Sequence, residues 1–242
     1  NSNSRQLIFR EKTVFAWVPS ITSISRQAAF AGKAPVFFAN SIYTTDKENA
    51  LWLQFWADHG LAQNEVVYIK GLGDDNLETV AEFITHPKVR VAGLVVDKVD
   101  RIMHGMELGT AGIHNQLDQW AKQLYLKNLL ELLLDHGFRV YLTSDHGNIE
   151  AEGCGRPLEG ATAELRGERV RIYPDEGLLN KVREKYPATI VWNNPGLPDN
   201  CHTLLAPHRQ AFTQEKHRIV SHGGFSMEEI IVPFVHIERK SR

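Results

Sequence analysis

Strand-like and helix-like segments alternate along most of this 242-residue chain. Short apolar runs bounded by turn residues indicate buried strands, and seven occur: Thr13–Val18, Glu65–Ile69, Val89–Val96, Arg139–Leu142, Arg169–Tyr173, Thr189–Trp192 and Ile230–Val235. Helical periodicity covers Lys47–His59, Asp75–Thr85, Leu117–Asp135 and Gly177–Lys185. Such alternation is typical of βαβ units. The sequence therefore predicts an α/β fold with a doubly wound, mostly parallel sheet and helices on both faces.

Local signals mark several boundaries of these segments. Gly137 follows the strongest helical pattern, Leu117–Asp135, and glycine is typical of helix C-termini. Ser226 with Glu229 three residues later fits a capping box, which predicts a short helix after His222. The stretch Glu150–Gly167 is rich in glycine and polar residues, so we expect a loop or lid there.

Composition is that of an ordinary soluble protein, with 43% hydrophobic and 23% charged residues. The formal net charge of −2 gives no overall basic field of the kind that nucleic-acid binders often carry. No apolar run is long enough to span a bilayer, and the first residues do not resemble a signal peptide. Cys154 and Cys201 lie far apart and outside any metal-binding spacing. These features predict a cytoplasmic protein without membrane contact.

The apolar run Val140–Leu142 leads into Asp145 and His146 after two intervening residues. In open α/β sheets, ligands bind where strands end, and adjacent residues in a turn can both face one metal ion. Carboxylate and imidazole groups are common ligands of zinc and manganese. A turn in which Asp145 caps a helix and His146 is exposed would also fit the pattern. We favour the metal-ligand interpretation.

Asp100 and His104 form a second candidate pair after the run Val91–Val96. Their spacing of four residues places them on one face of a helical turn, where they could chelate one ion. His222 precedes two glycines, which allow the backbone to approach a ligand closely. It is a candidate third ligand, although a simple loop histidine would have the same sequence.

A hydroxyl-rich segment, Pro19–Ser23, lies between an apolar strand pattern and a helical pattern. A hydroxyl group at a helix N-terminus lies in positive potential beside backbone N–H groups, a setting that suits phosphate. The same residues would equally serve as an N-cap without chemistry, which the residues alone favour. Arg26, one turn beyond Thr22, could bind phosphate oxygens or face solvent.

Taken together and in this order, these segments resemble the PglZ domain of the alkaline phosphatase superfamily. The matching stretches are Pro19–Gln27, Asp100-x-x-x-His104-Gly105, Ser144-Asp145-His146-Gly147 and His222–Glu229 with Val232-Pro233. The resemblance implies an alkaline-phosphatase-like fold and two divalent metal ions, zinc or manganese. It implies that one ion is held by Asp100, His104 and His222. It assigns the other ion to Asp145 and His146, and the nucleophile to Thr22, which coordinates that second ion.

One feature departs from the family pattern. The family carries a further metal-ligand Asp on a strand upstream of its nucleophile, but the 21 residues before Thr22 contain no Asp. We therefore expect residues 1–242 to be one PglZ domain that lacks its first strand and that ligand.

The resemblance implies a metal-dependent phosphoester hydrolase, either a phosphatase or a phosphodiesterase, with Thr22 as nucleophile and Arg26 as a substrate-binding residue. Expected partners are a phosphoester substrate, including nucleotides or nucleic acid, and proteins of a bacteriophage-defence system. The alternative is a non-catalytic, metal-stabilised scaffold within a multiprotein defence assembly.

Overall fold

The computed structural model describes residues 6–74, 77–104, 109–157, 167–193 and 196–240. Its strands are β1 (Leu7–Phe15), β2 (Val66–Leu72), β3 (Val91–Val96), β4 (Val140–Thr143), β5 (Ile149–Gly153), β6 (Val170–Tyr173), β7 (Ile190–Trp192), β8 (His202–Leu205), β9 (Gln210–Ala211), β10 (Arg218–Ser221) and β11 (Ile231–Arg239). Its α-helices are α1 (Thr22–Ala31), α2 (Glu48–Asp58), α3 (Leu77–Ile84), α4 (Lys98–His104), α5 (Gly109–Lys122), α6 (Tyr125–Asp135), α7 (Glu176–Lys185) and α8 (Met227–Ile230). Two short 3₁₀ helices cover Pro35–Ser41 and Gln63–Glu65.

Contacts within the chain divide it into two units. The first unit comprises residues 1–14, 52–144 and 233–242, and the second comprises residues 15–51 and 145–232. In the first unit, β2 pairs with β3 in parallel, whereas β11 pairs with β4 in antiparallel register and also with β1. The helices of this unit follow the amphipathic patterns of the sequence, and α6 buries Leu129, Leu130 and Leu133.

The second unit contains two small sheets, β10-β5-β9 and β6-β8-β7. Four of the six strand pairs whose direction is defined in the described residues are antiparallel, and only β2–β3 and β5–β9 are parallel. Mixed α/β content is thus as expected, but the described strands form four small sheets. The doubly wound, mostly parallel sheet stays a prediction.

An apolar core fixes the start of α1 in the second unit. Ile21 and Ile24 are fully buried in a cluster with Val170, Ile172 and Leu205 from β6 and β8. Burial of each such side chain contributes about 1.5–3 kcal/mol. Because Ile21 and Ile24 flank Thr22, this packing fixes the position of the predicted nucleophile.

Three local expectations differ from the structure. The pattern Leu117–Asp135 is divided between α5 and α6, because Leu124 adopts a left-handed conformation with φ of 60° and ends the helical run. The strand predicted over Thr13–Val18 is wrong at its C-terminal end, since β1 ends at Phe15. The expected loop Glu150–Gly167 begins instead with β5, whose residues pair with β9 and β10, and residues 158–166 lie outside the described part.

Other boundaries agree closely. Gly137 has a φ of 80° directly after the C-cap of α6, as its position in the sequence predicts. Across the residues described, no helix combines the length and the apolar character needed to cross a membrane.

Candidate active site

Thr22 is the first residue of α1, and its side chain is 9% exposed. The residue before it, Ile21, occupies the N-cap position and supplies no side-chain hydrogen bond. The alternative role of this segment as a side-chain N-cap is therefore wrong. The positive end of the helix dipole instead falls at the threonine hydroxyl.

The neighbouring hydroxyl groups have different surroundings from that of Thr22. Ser20 Oγ is fully buried, donates to Gly224 O at 2.8 Å and accepts from Gly223 N at 3.1 Å. Ser25 Oγ donates to Trp17 O at 2.9 Å. Both serines thus hold backbone groups, whereas the threonine hydroxyl lies beside an imidazole. Of these three hydroxyl groups, that of Thr22 is the one beside a side-chain base.

The imidazole beside Thr22 belongs to His146. Its Nε2 lies 3.0 Å from Thr22 Oγ1, and its Nδ1 lies 3.1 Å from Gly147 O. A carbonyl oxygen can only accept, so Nδ1 carries the proton and Nε2 carries the lone pair. The ring is 7% exposed, which contradicts an exposed turn histidine.

His222 lies against His146 with the two rings stacked, their centroids 4.0 Å apart and their planes 16° from parallel. His222 Nδ1 lies 3.0 Å from Ser20 O, so the same reasoning assigns the proton to Nδ1 and the lone pair to Nε2. Both imidazoles are therefore held by carbonyl groups through Nδ1. Metal-ligating histidines are typically oriented in this way.

Asp145 completes the second-unit part of the predicted metal site. Its Oδ2 lies 3.8 Å from His146 Nε2, and its Oδ1 accepts from the backbone N–H of His146 at 3.2 Å. Imidazole nitrogen, carboxylate oxygen and hydroxyl oxygen suit zinc or manganese. Across the described residues, no group of three His, Cys, Asp or Glu side chains is arranged to hold a single ion. The donor atoms of the site therefore suit a metal ion, but fewer than three of these side chains in the described residues are grouped around one position.

Asp100 and His104 belong to the first unit. Asp100 lies in the first turn of α4, and His104 is the last residue of that helix. The expected spacing of four residues on one helix is therefore present. The side chain of His104 lies outside the described part, so these two residues remain predicted ligands.

Arg26 lies one turn after Thr22 on α1 and contacts a buried carboxylate. Its Nε donates to Glu48 Oε1 at 2.8 Å, and the side chains of Arg26 and Glu48 are 17% and 0% exposed. The sequence did not indicate this ion pair. The guanidinium is held in place by Glu48, so a phosphate-binding role for Arg26 stays a prediction.

The two cysteines do not offer an alternative nucleophile. Burial raises the pKa of both the Cys154 and the Cys201 thiol. The thiolate is the reactive form, and a raised pKa disfavours it.

Sequence reasoning missed a set of residues that support the two histidines. Glu229 belongs to the predicted capping box and Ser20 to the hydroxyl-rich segment, and both lie in the stretches that resemble the family, but no supporting role was predicted for either residue. The structure adds Arg169, which is 2% exposed and pairs with the fully buried Glu229 at 2.8 Å. A basic residue directly before β6 and an acidic residue 60 positions later carry no signal in the sequence that could link them.

Comparison with solved structures places the chain in a class of folds. It superposes on the murine ectonucleotide pyrophosphatase/phosphodiesterase 5 with a TM-score of 0.60 and 14% identity, covering 93% of this chain and 79% of that chain. The human protein of the same name superposes with a TM-score of 0.61 and 13% identity, with the same coverage of both chains. An inactive form of the murine protein in complex with AMP superposes with a TM-score of 0.58 and 14% identity, covering 93% of this chain and 78% of that chain. These neighbours define an alkaline-phosphatase-like α/β fold.

The family follows from the sequence itself. The model of the BREX system PglZ alkaline phosphatase-like domain matches residues 2–237, and the chain belongs to this family. No curated protein matches the chain in sequence.

Proposed function

We propose that this domain is a metal-dependent phosphoester hydrolase in which Thr22 is the nucleophile. The observation that carries the proposal is the 3.0 Å contact between Thr22 Oγ1 and His146 Nε2 at the N-terminus of α1. A hydroxyl at that position lies beside an imidazole nitrogen that can share a metal ion with it, and at a helix end that favours phosphate oxygens. The proton of the threonine hydroxyl would pass to solvent. Membership of an alkaline phosphatase-like family supports the same chemistry.

In the proposed reaction, Thr22 Oγ attacks phosphorus in line with the leaving oxygen. The P–O bond to the leaving group breaks as the bond to Thr22 Oγ forms, and water then hydrolyses the phosphothreonine. The backbone at the start of α1 stabilises the charge on the phosphate oxygens. Arg26 is a proposed second contact to those oxygens.

Asp145 and His146, together with the Thr22 hydroxyl, would hold one divalent ion. His222 is a proposed ligand of a second ion, and Asp100 and His104 stay predicted ligands. Bound zinc or manganese would supply Lewis acidity, which lowers the pKa of a coordinated hydroxyl and neutralises phosphate charge. Because Nδ1 of both described histidines faces a carbonyl oxygen, their Nε2 atoms already present the lone pairs that ligation requires.

Substitution of the nucleophile tests this proposal. We expect Thr22→Ala to abolish hydrolysis of p-nitrophenyl phosphate and of bis(p-nitrophenyl) phosphate, measured with zinc or manganese added after chelation. The matched control is Ser25→Ala, which removes a hydroxyl three residues away that donates to Trp17 O; we expect it to keep turnover. Mass spectrometry of acid-quenched wild-type protein should find phosphate on Thr22. Retained turnover in Thr22→Ala would refute the assignment.

The substrate class that we favour is a nucleotide or a related phosphodiester. Solved structures with this fold are named pyrophosphatase/phosphodiesterases, and one of them holds AMP. In this chain, Phe225 follows the glycines after His222, stacks on Trp192 at 5.6 Å and is 37% exposed. An exposed aromatic ring is a surface on which a base can stack. A steep fall in affinity with salt would indicate nucleic acid rather than a small nucleotide, because polymer binding releases counterions.

The second candidate function is a non-catalytic scaffold in a multiprotein bacteriophage-defence assembly. The family description, which places such domains in BREX systems, favours it. In that role the domain would bind metal without turnover and act in the cytoplasm. Under either proposed function, we expect a doubly wound sheet with helices on both faces.

A further inference from the structure

Three loops carry the candidate site in the second unit, and two buried residues connect them. The loops are Pro19–Thr22, Asp145–Gly147 and His222–Gly224. Ser20 joins the first loop to the third, because its Oγ bonds to both glycines after His222 and its carbonyl faces the His222 ring. These contacts fix the third loop relative to the nucleophile.

Glu229 joins the third loop to the second. Its Oε1 accepts from Gly224 N at 2.7 Å and from Arg169 Nε at 2.8 Å, and its Oε2 accepts from Ser226 N at 3.0 Å. Its backbone carbonyl accepts from Gly147 N, directly after His146, at 2.8 Å. One residue therefore holds the backbones next to both histidines.

The partner cation strengthens this arrangement. Arg169 donates through its backbone N–H to His222 O at 3.3 Å, so it contacts the same loop as Glu229 does. A Cβ atom on Gly224 would lie 2.6 Å from Glu229 Oε2 and 2.7 Å from an Arg169 terminal nitrogen. The ion pair thus packs directly against the backbone beyond His222, with no intervening space.

We propose that Glu229 is a positioning residue, which together with Arg169 and Ser20 holds the ring of His222 stacked on the ring of His146. The catalytic part of this proposal rests on the proposed phosphoester hydrolysis. The carboxylate accepts from Arg169, Gly224 and Ser226. Its role is to keep both Nε2 atoms oriented for ligation.

The substitution Glu229→Gln tests this role because it is nearly isosteric. A carboxamide has one accepting oxygen where the carboxylate has two, so one of the three donors from Arg169, Gly224 and Ser226 must lose its acceptor. The matched control is Glu228→Gln. Glu228 is the neighbouring residue, has a 46% exposed side chain and forms a surface ion pair with Arg209.

The first measurement is the imidazole ¹H–¹⁵N spectrum, which reports the tautomer of each of the eleven histidines. We expect the wild type and Glu228→Gln to show His146 and His222 fixed with the proton on Nδ1. In Glu229→Gln, the signals of these two rings should shift or broaden while those of surface histidines stay in place. A folded Glu229→Gln protein with unchanged His146 and His222 signals would overturn the proposal.

The second measurement is turnover, with kcat and KM determined separately. A displacement of about 1 Å near the reacting groups can cost on the order of 100-fold. We therefore expect kcat to fall by roughly that factor in Glu229→Gln, with KM changed about twofold or less. Altered ring signals with unchanged kcat would overturn the catalytic part. If the wild type has no turnover, the proposed hydrolysis fails, and the spectra alone still decide whether Glu229 positions the rings.

A second variant covers the case in which Glu229→Gln does not fold. Ser20→Ala removes the hydroxyl that bonds to Gly223 N and Gly224 O but leaves the buried ion pair intact. We expect the same loss of the fixed His222 signal. An unchanged His222 signal in Ser20→Ala would then overturn the inference that these contacts hold the ring.

Discussion

The substitution Gly147→Ala should damage both stability and the candidate site, because the position has no room for a methyl group. A Cβ atom there would lie 2.0 Å from Glu228 O, which is about 1 Å short of the 3.0 Å that real Cβ contacts require. The obstacle is backbone, so it cannot rotate away. Gly147 N also donates to Glu229 O at 2.8 Å. The loop must therefore move and lose that hydrogen bond.

The expected cost follows from these contacts. Overpacking that forces a backbone shift costs about 1–3 kcal/mol, and the lost hydrogen bond costs about 1 kcal/mol. Replacing glycine by alanine restricts the unfolded chain and returns roughly 0.4–1 kcal/mol. The net destabilisation should be about 2–3 kcal/mol, which corresponds to a fall in Tm of roughly 5–10 °C for a chain of this size.

Two glycine variants separate the steric effect from the effect on the site. Gly153→Ala in β5 places a Cβ atom 1.8 Å from Gln214 O and should destabilise to a similar degree. Gly177→Ala near the start of α7 meets only Asp175 Oδ1 at 3.2 Å, so we expect unchanged or slightly increased stability. Urea unfolding gives the free energies of all three variants.

Turnover and the imidazole spectrum complete the assay. We expect Gly147→Ala to displace His146 from Thr22 and to lower kcat about 100-fold, whereas Gly153→Ala should keep the His146 signal and most of kcat when measured well below its Tm. A Gly147→Ala protein with wild-type stability and an unchanged His146 signal would show that the close approach of Gly147 to Glu228 is absent, and the reasoning would be refuted.

Two further predictions concern ion pairs. Arg26→Met leaves the fully buried Glu48 without its guanidinium partner. We expect it to lower the free energy of unfolding, measured in urea, by about 3 kcal/mol. If Arg26 served only as a phosphate contact, the substitution would change KM and leave the free energy of unfolding unchanged. Hydrogen bonds from Lys98, and to a smaller extent from Arg101, lower the pKa of the Asp74 carboxyl. These exposed ion pairs therefore contribute stability above the unfolded pKa of about 3.9. That stability is lost as the pH falls through the lower pKa of the folded state. Asp74→Asn should remove this pH-dependent contribution to stability, which is worth less than about 1 kcal/mol. Thermal unfolding of the wild type and the variant between pH 3 and pH 7 measures the difference. An equal dependence of Tm on pH in the two proteins would contradict the prediction.

Elements with strong amphipathic or apolar patterns could be predicted from the sequence. The pattern Lys47–His59 corresponds to α2 and Gly177–Lys185 to α7, each within one residue at either end. Helical periodicity is a local property, so the sequence contains it directly. The break at Leu124 could not be predicted, because leucine rarely adopts a positive φ and the apolar spacing continues across it.

Strand pairing was harder to predict than strand position. β6 matches the predicted Arg169–Tyr173, but its antiparallel pairing with β8 joins residues about 30 positions apart that no local pattern connects. The short strand β9, Gln210–Ala211, has too few residues to show a period. Local patterns specify that a segment is extended, whereas the choice of partner depends on long-range packing.

The candidate site shows the same limit in chemical terms. Thr22, His146 and His222 were all expected near one another from motifs, and the hydrogen bond and ring stacking that join them are present in the second unit. The matching segments include Ser20 and Glu229, but they do not indicate that the buried side chains of these two residues bond to the backbone beside His222. Because a buried carboxylate that accepts three hydrogen bonds is costly to form without its cation, a domain that keeps Glu229 must also keep Arg169. A PglZ domain with an apolar residue at only one of these two positions should therefore lose the fixed tautomer of His222 even when every predicted metal ligand is present.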